Sequence, residues 1–175
     1  METVRPTLLS SCAKAATAAE ARFRVPYPNA LTRASRIFAL DAGAAEAMFA
    51  ITEDPWNGAH FLTVGGASEI DPDATGIDDL PLSAPDGRAV RLSAEIKGAD
   101  VVVMLASSDT RIGAAEVIAR EAYARKIMLA GLVLADGLTK HSVDRVVAAL
   151  RPYASVLVVA SENDFIPAML TALRA

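Results

Sequence analysis

Apolar runs and helical periodicities alternate through the second half of the chain. Residues 101–106 and 127–134 are almost wholly apolar, and between them, after Gly113, apolar positions recur at helical spacing. Short, continuous apolar runs are typical of strands that are covered on both faces of a parallel sheet, and a crossover helix is the usual link between two such strands. The pattern therefore predicts one complete βαβ unit over residues 98–134.

The same alternation continues on both sides of this unit. The pattern predicts strands at residues 36–41, 59–64 and 155–160, and helices at 44–51, about 88–97, 139–150 and 164–174. Residues 71–87 are rich in Asp and Pro and lack apolar periodicity, which predicts an exposed connection. Five strands that alternate with helices predict a three-layer α/β/α sandwich around a mainly parallel, Rossmann-like sheet.

The first 33 residues differ from the rest in composition. Residues 8–21 are rich in Ala, which favours a helix, and Pro26 and Pro28 then impose an extended link. We expect an N-terminal helical and extended segment at residues 1–33 and a single Rossmann-like domain at residues 34–175. The segment packs either across the domain or against a neighbouring subunit, and the sequence leaves both arrangements open.

Charge and composition narrow the classes of partner. The net charge is −4 and Lys and Arg are not clustered, so the electrostatic signature of a protein that binds nucleic acid or an anionic membrane surface is missing. The longest apolar runs are about eight residues, whereas roughly 20 are needed to cross a bilayer. We expect neither nucleic acid nor membrane as a partner.

The single cysteine, Cys12, excludes an internal disulfide and a thiolate metal cluster. Residues 9–12, Leu-Ser-Ser-Cys, look like a lipoprotein processing site, but the apolar stretch before them is too short for a secretory signal. We therefore expect a cytoplasmic protein with a free thiol.

The strand-to-helix turns carry the candidate chemistry, because ligands of such folds bind beyond the carboxyl ends of the strands. The first turn contains Gly43, a single glycine where the dinucleotide fingerprint requires several to approach a pyrophosphate. A tight turn is the alternative reading of Gly43. The second strand ends at Gly65 and Gly66.

The turn at residues 106–113 is the most polar of the set. Ser107, Ser108 and Thr110 supply hydroxyls, Arg111 supplies a positive charge, and free N–H groups at the start of the next helix favour an anion. These residues predict a phosphate or carboxylate site, with helix capping as the alternative. Asp109 opposes an anion here unless a cation bridges the two.

Three aspartates follow three predicted strands: Asp41, Asp109 and Asp136. Because the carboxyl ends of parallel strands converge and clustered carboxylates bind Mg²⁺, these residues form a candidate metal site. Ordinary turn and capping roles are the alternative. His60 begins a strand, His141 opens a helix and no G-x-S-x-G elbow accompanies them, so we assign no catalytic nucleophile.

Several motifs between residues 98 and 164 occur in the order found in a known family. They are GADVVV at 98–103, GAAEVIA at 113–119 and SEND at 161–164. Their order and spacing resemble the nucleotide-binding domain of the FtsZ and tubulin family of GTPases, and the resemblance extends over residues 36–175. It implies that Gly43, Thr110 and Gly113 lie near phosphates and that Asn163 contacts the guanine base.

The chain departs from that family at the phosphate loop, where SDTRIG at 108–113 is about two residues shorter than the family's glycine-rich loop. The first turn also lacks the family's glycine run, and the chain ends before the central helix and the second domain that completes hydrolysis. We expect a degenerate FtsZ/tubulin-like domain that binds GTP, another nucleotide or a small phosphorylated ligand, with or without Mg²⁺, and does not hydrolyse it.

Two other functions remain open. One is an interaction or assembly protein, such as a homo-oligomer, that has lost the nucleotide pocket. The other is a small Mg²⁺-dependent or dinucleotide-using enzyme centred on Asp41, Asp109 and Asp136.

Overall fold

The computed structural model describes residues 31–54, 56–66, 69–161 and 165–175. Its strands are β1 (Ser35–Ala39), β2 (Ala59–Val64), β3 (Leu82–Ser83), β4 (Ala89–Val90), β5 (Val101–Ala106), β6 (Met128–Leu134) and β7 (Val156–Ala160). Its helices are α1 (Ala42–Phe49), α2 (Leu92–Ile96), α3 (Ile112–Ala124), α4 (Lys140–Leu150) and α5 (Phe165–Leu173). The segment predicted at residues 1–33 lies almost entirely outside the described residues.

The seven strands of the described residues form one sheet in the order β4-β3-β2-β1-β5-β6-β7. Strands β2, β1, β5, β6 and β7 are mutually parallel, and β3 and β4 join beside β2 as an antiparallel hairpin. Counted along the chain, the five parallel strands have the order 2-1-3-4-5, one of the two common doubly wound arrangements. This confirms the predicted Rossmann-like α/β/α sandwich.

Strand β5 lies at the centre of the core because both of its faces are covered. All six of its residues are buried. Val102, Met104 and Ala106 pack in the layer that contains α2, α3 and α4, whereas Val101, Val103 and Leu105 pack in the layer that contains α1 and α5. A strand buried on both faces has no polar positions to alternate with, which explains its uninterrupted apolar sequence.

The predicted strands at 59–64 and 101–106 match the structure residue for residue, and the other predicted strands shift by one or two residues at an end. The predicted helices at 44–51, 139–150 and 164–174 shift by similar amounts. None of the helices in the described part of the chain is long and apolar enough to cross a membrane.

The prediction for residues 71–97 was partly wrong, because it missed the hairpin. Pro85, Asp86 and Gly87 form its turn, in which Gly87 has a φ of +82° and Asp86 Oδ1 accepts a hydrogen bond from the Arg88 N–H at 2.9 Å. Pro-Asp-Gly is a strong turn signal. The flanking strands have only two residues each, too few to show a period. The sheet formed by the described residues therefore has seven strands instead of about five, and the helix predicted at about 88–97 is the shorter α2.

Most residues of the connection between β2 and β3 are exposed, as predicted, and the connection is held against two helices. Arg120 of α3 donates hydrogen bonds to the Asp73 carboxylate at 3.0 Å and to the Pro72 carbonyl. The Asp78 carboxylate accepts from the N–H and the hydroxyl of Ser93 in α2, at 3.0 and 2.9 Å. The hydrogen bonds from Ser93 lower the pKa of Asp78.

Replacing Ser93 tests this attachment. We expect Ser93→Ala to raise the pKa of Asp78 toward the ordinary value for Asp, because the hydroxyl donor that favours the carboxylate is lost. A group whose pKa is lower in the folded than in the unfolded state stabilises the fold at neutral pH, and this contribution is lost as the pH falls through the folded-state pKa.

An NMR titration of the Asp78 carboxyl carbon measures the change. Ser83→Ala is the matched control, because it removes a serine hydroxyl from the neighbouring strand β3 and should leave the titration unchanged. An Asp78 titration that is the same in Ser93→Ala and in the parent protein would contradict the attachment.

Candidate functional site

The order of the parallel strands reverses between β1 and β5. These strands are neighbours, but α1, which follows β1, packs on one face of the sheet and α3, which follows β5, packs on the other. In doubly wound sheets the helices diverge at such a point, and the crevice between them at the carboxyl edge is the usual ligand position. We call it the switch-point crevice, bounded by residues 40–44 and 106–113.

The Asp41 carboxylate joins the two turns that border this crevice. It caps α1 by accepting from the Ala44 N–H at 3.0 Å. It also accepts from the backbone N–H groups of Ser107 at 2.8 Å and Ser108 at 3.0 Å, and from the Ser107 hydroxyl. Four donors therefore converge on one half-buried carboxylate, and the N–H groups of Ser107 and Ser108 bind an anion that the protein itself supplies.

Two glycines selected from the sequence allow close contacts between elements. A Cβ atom on Gly43 would overlap the Ser107 hydroxyl, and a Cβ atom on Gly113 would overlap the carbonyl oxygen of Ile70. Gly43 thus allows α1 to approach the β5–α3 turn, and Gly113 allows the connection after β2 to lie over the start of α3. A carbonyl oxygen occupies the position near Gly113 where an anion was predicted.

Arg111 connects the β5–α3 turn to the end of β2. Its guanidinium donates to the carbonyl oxygen of Gly65, whose N–H donates to the Pro81 carbonyl at 2.6 Å. Gly66 follows with a φ of +83°, a conformation that suits glycine. The predicted residues Gly65, Gly66 and Arg111 are therefore brought together at one edge of the crevice.

Asp109 does not present an unpaired negative charge to the crevice. Arg145 of α4 lies with its Nη1 atom 2.8 Å from Asp109 Oδ2. Next to this ion pair, the hydroxyls of Ser108 and Thr110 are 2.8 Å apart, and Thr110 is exposed. The repulsion that Asp109 would exert on an anion is offset by Arg145, a residue that the sequence analysis did not select.

The three aspartates proposed for Mg²⁺ have different environments. Asp41 is surrounded by hydrogen-bond donors, Asp109 is paired with Arg145, and Asp136 is exposed in the β6–α4 turn. Across residues 31–54, 56–66, 69–161 and 165–175, no group of three or more His, Cys, Asp or Glu side chains is arranged to hold a metal ion. The predicted base-binding residue, Asn163, lies outside the described residues.

His60 belongs to a separate network at the opposite end of β2. Its Nδ1 atom lies 3.0 Å from the carboxylate of Glu95 in α2. Arg36 of β1 is buried and donates from Nε to the Glu95 carbonyl oxygen at 2.7 Å. These contacts link β1, β2 and α2.

Removing the Asp41 carboxylate should destabilise the protein. Asp41→Ala leaves three backbone N–H groups without their acceptor, and we expect the free energy of unfolding to fall by about 2–4 kcal/mol. Asp136→Ala is the matched control and should change it by less than about 0.5 kcal/mol, because Asp136 is exposed in a turn. Urea unfolding measures both values, and equal losses would contradict the special role of Asp41.

Comparison of the chain with protein families and curated proteins identified no relative whose function could be transferred to it. No protein-family model and no curated protein matches the chain significantly. The resemblance to the FtsZ and tubulin family therefore stays a prediction, and the functional conclusion depends on the geometry of the described residues.

Proposed function

We propose that this domain binds a small phosphorylated ligand in the switch-point crevice and does not hydrolyse it. Nucleotides such as GTP belong to this ligand class, as the resemblance to FtsZ and tubulin implies. The observation that carries the proposal is the reversal of strand order between β1 and β5. Ligands of doubly wound sheets bind at such reversals because the helices diverge there and leave the strand ends accessible.

Two guanidinium groups at the crevice support an anionic ligand. Arg111 and Arg145 lie beside the β5–α3 turn, and Asp109 compensates one of these two positive charges. The Asp41 carboxylate is already surrounded by four donors. Arg145 contacts Asp109 through Nη1 and its side chain is 51% exposed, so its other N–H groups can donate to a phosphate in a fixed, forked geometry.

The proposed contacts are with side chains rather than with the helix N-terminus. The Ile70 carbonyl lies against Gly113, and the N–H groups of Ser107 and Ser108 donate to Asp41. The hydroxyls of Ser108 and Thr110 therefore become the main hydrogen-bond donors for a phosphate, together with Arg145.

The state of the carboxylates supports binding without hydrolysis. Activation of a water molecule requires a base or a metal held by free carboxylates. At the described rim of the crevice, Asp41 accepts four hydrogen bonds and Asp109 is paired with Arg145. Neither residue is available for that role in this arrangement.

A second function, assembly into a homo-oligomer, is favoured by large apolar side chains that are exposed on the last strand and the last helix. Val156, Val159 and Phe165 are 39%, 49% and 48% exposed. Val156 and Phe165 line a groove of about 370 Å³ between β7 and α5, and Val159 lies on the opposite face of β7. Strand β7 contains neither a charge nor a proline, the features that usually protect an edge strand from pairing with another chain.

Calorimetric titration tests the ligand-binding function. The ligands are GTP, GDP and inorganic pyrophosphate, each with and without Mg²⁺. We expect saturable binding of at least one of them, and about a tenfold loss of affinity in Arg145→Met, because a hydrogen bond from a charged donor to phosphate is removed. Arg151→Met is the control, since Arg151 follows the same helix and is exposed. Flat titrations, or equal losses in the two variants, would contradict the proposal.

Light scattering over a range of protein concentrations tests the assembly function. We expect a dimer that Val159→Lys converts to a monomer, because a charge on an edge strand opposes pairing. A monomer at every concentration of the parent protein would contradict this second function.

A further inference from the structure

A cavity of about 710 Å³ opens at the edge of the sheet opposite the switch-point crevice. It lies beside the end of α3 and the start of β6, where Tyr123, Lys126 and Met128 line it, and it is completed by Tyr153 and Ser155 from the loop before β7. Its volume is within the range of roughly 300–1,000 Å³ that is usual for small-molecule sites. None of these residues takes part in the functions proposed above.

The two tyrosines give this cavity an aromatic surface. Their ring centroids are 6.0 Å apart and their planes meet at 71°, an edge-to-face arrangement. In such a pair, one ring points its edge at the face of the other ring. Both faces of the first ring are therefore free of contact with the second. Tyr123 is 65% exposed, so its ring is accessible to a planar partner.

Lys126 is held at the rim in a backbone conformation that is unusual for its residue type. Its φ is +59°, and it occupies the position after α3 that glycine usually fills in a Schellman motif. The Lys126 N–H donates to the Tyr123 carbonyl at 3.0 Å, and the Ile127 N–H donates to the Ala122 carbonyl at 2.9 Å. Among the described residues Lys126 forms no ion pair, so a cation is available beside the tyrosines.

The end of α5 provides an internal comparison. Arg174 also has a positive φ, +63°, and its N–H donates to the Thr171 carbonyl at 3.0 Å. A basic residue at this position also interacts favourably with the negative end of a helix dipole. Both helices have this interaction with the dipole at their ends. The cavity with the two tyrosines, in contrast, lies beside Lys126 at the end of α3.

We propose that this cavity binds planar aromatic carboxylates. The aromatic ring stacks on the tyrosine surface and contacts the Met128 thioether, and the carboxylate pairs with the Lys126 ammonium group. The exposed Ser155 hydroxyl supplies a further donor for the carboxylate. The inference is independent of phosphate binding at the switch-point crevice, because the two sites lie at opposite ends of the strands.

An NMR titration with 2-naphthoate and its neutral analogue 2-naphthamide tests the proposal. We expect saturable shifts of the amide signals of Tyr123, Lys126 and Ser155, and about fivefold tighter binding of the naphthoate, as one exposed ion pair provides. Lys126→Gly keeps the backbone conformation and should abolish this preference. Tyr123→Leu should weaken the binding of both compounds.

Arg174→Gly is the matched control, because it makes the same replacement at the end of another helix and should leave both affinities unchanged. Equal binding of the two compounds, or a preference that survives Lys126→Gly, would overturn the proposed ion pair. Shifts confined to the groove between β7 and α5, or no saturable shifts at millimolar concentrations, would overturn the site itself.

Discussion

The carboxyl edge of the sheet depends on the convergence of four hydrogen-bond donors on the Asp41 carboxylate. Strands β1 and β5 are neighbours, but their helices leave on opposite faces, so the two turns separate just where the strand ladder ends. Asp41 satisfies donors from both turns at once. Hydrogen bonds to a charged acceptor are roughly twice as strong as neutral ones. An internal anion therefore holds the two turns together at this edge of the sheet.

The connection after β2 contributes to the same edge. It contacts α3 through Arg120 and Gly113 and α2 through Ser93, and it carries Ile70 over the start of α3. An irregular, polar segment has thus become a fixed wall. Because this wall covers the start of α3, the phosphate site that we propose uses the hydroxyls and guanidinium groups beside it.

The sequence was most informative where burial imposes a simple pattern. Strand β5 is covered on both faces, so its six residues are all apolar and its bounds could be predicted. The hairpin could not be recognised by periodicity, because two-residue strands have none. Its Pro-Asp-Gly turn was the available signal.

The candidate site shows a different limit of sequence analysis. Asp41, Ser107 and Ser108 were all selected, as a metal ligand and as parts of an anion site, but they are partners of one another across 66 or 67 residues. Residue types identify donors and acceptors, whereas only the register of the sheet determines which of them meet. The pairing of Asp109 with Arg145 depends in the same way on how α4 packs, and no local pattern indicates it.

The two edge strands of the sheet differ in how readily they can pair with a strand of another chain. Among the described residues, one end is β4, a strand of two residues in a tight hairpin, whereas the other is the five-residue, uncharged β7. Very short outer strands resist the addition of further chains. If two copies join through β7 about a twofold axis, the β7 edge of each copy is buried against the other. The short β4 strands then remain outermost. This asymmetry favours closed pairs and disfavours open-ended fibres.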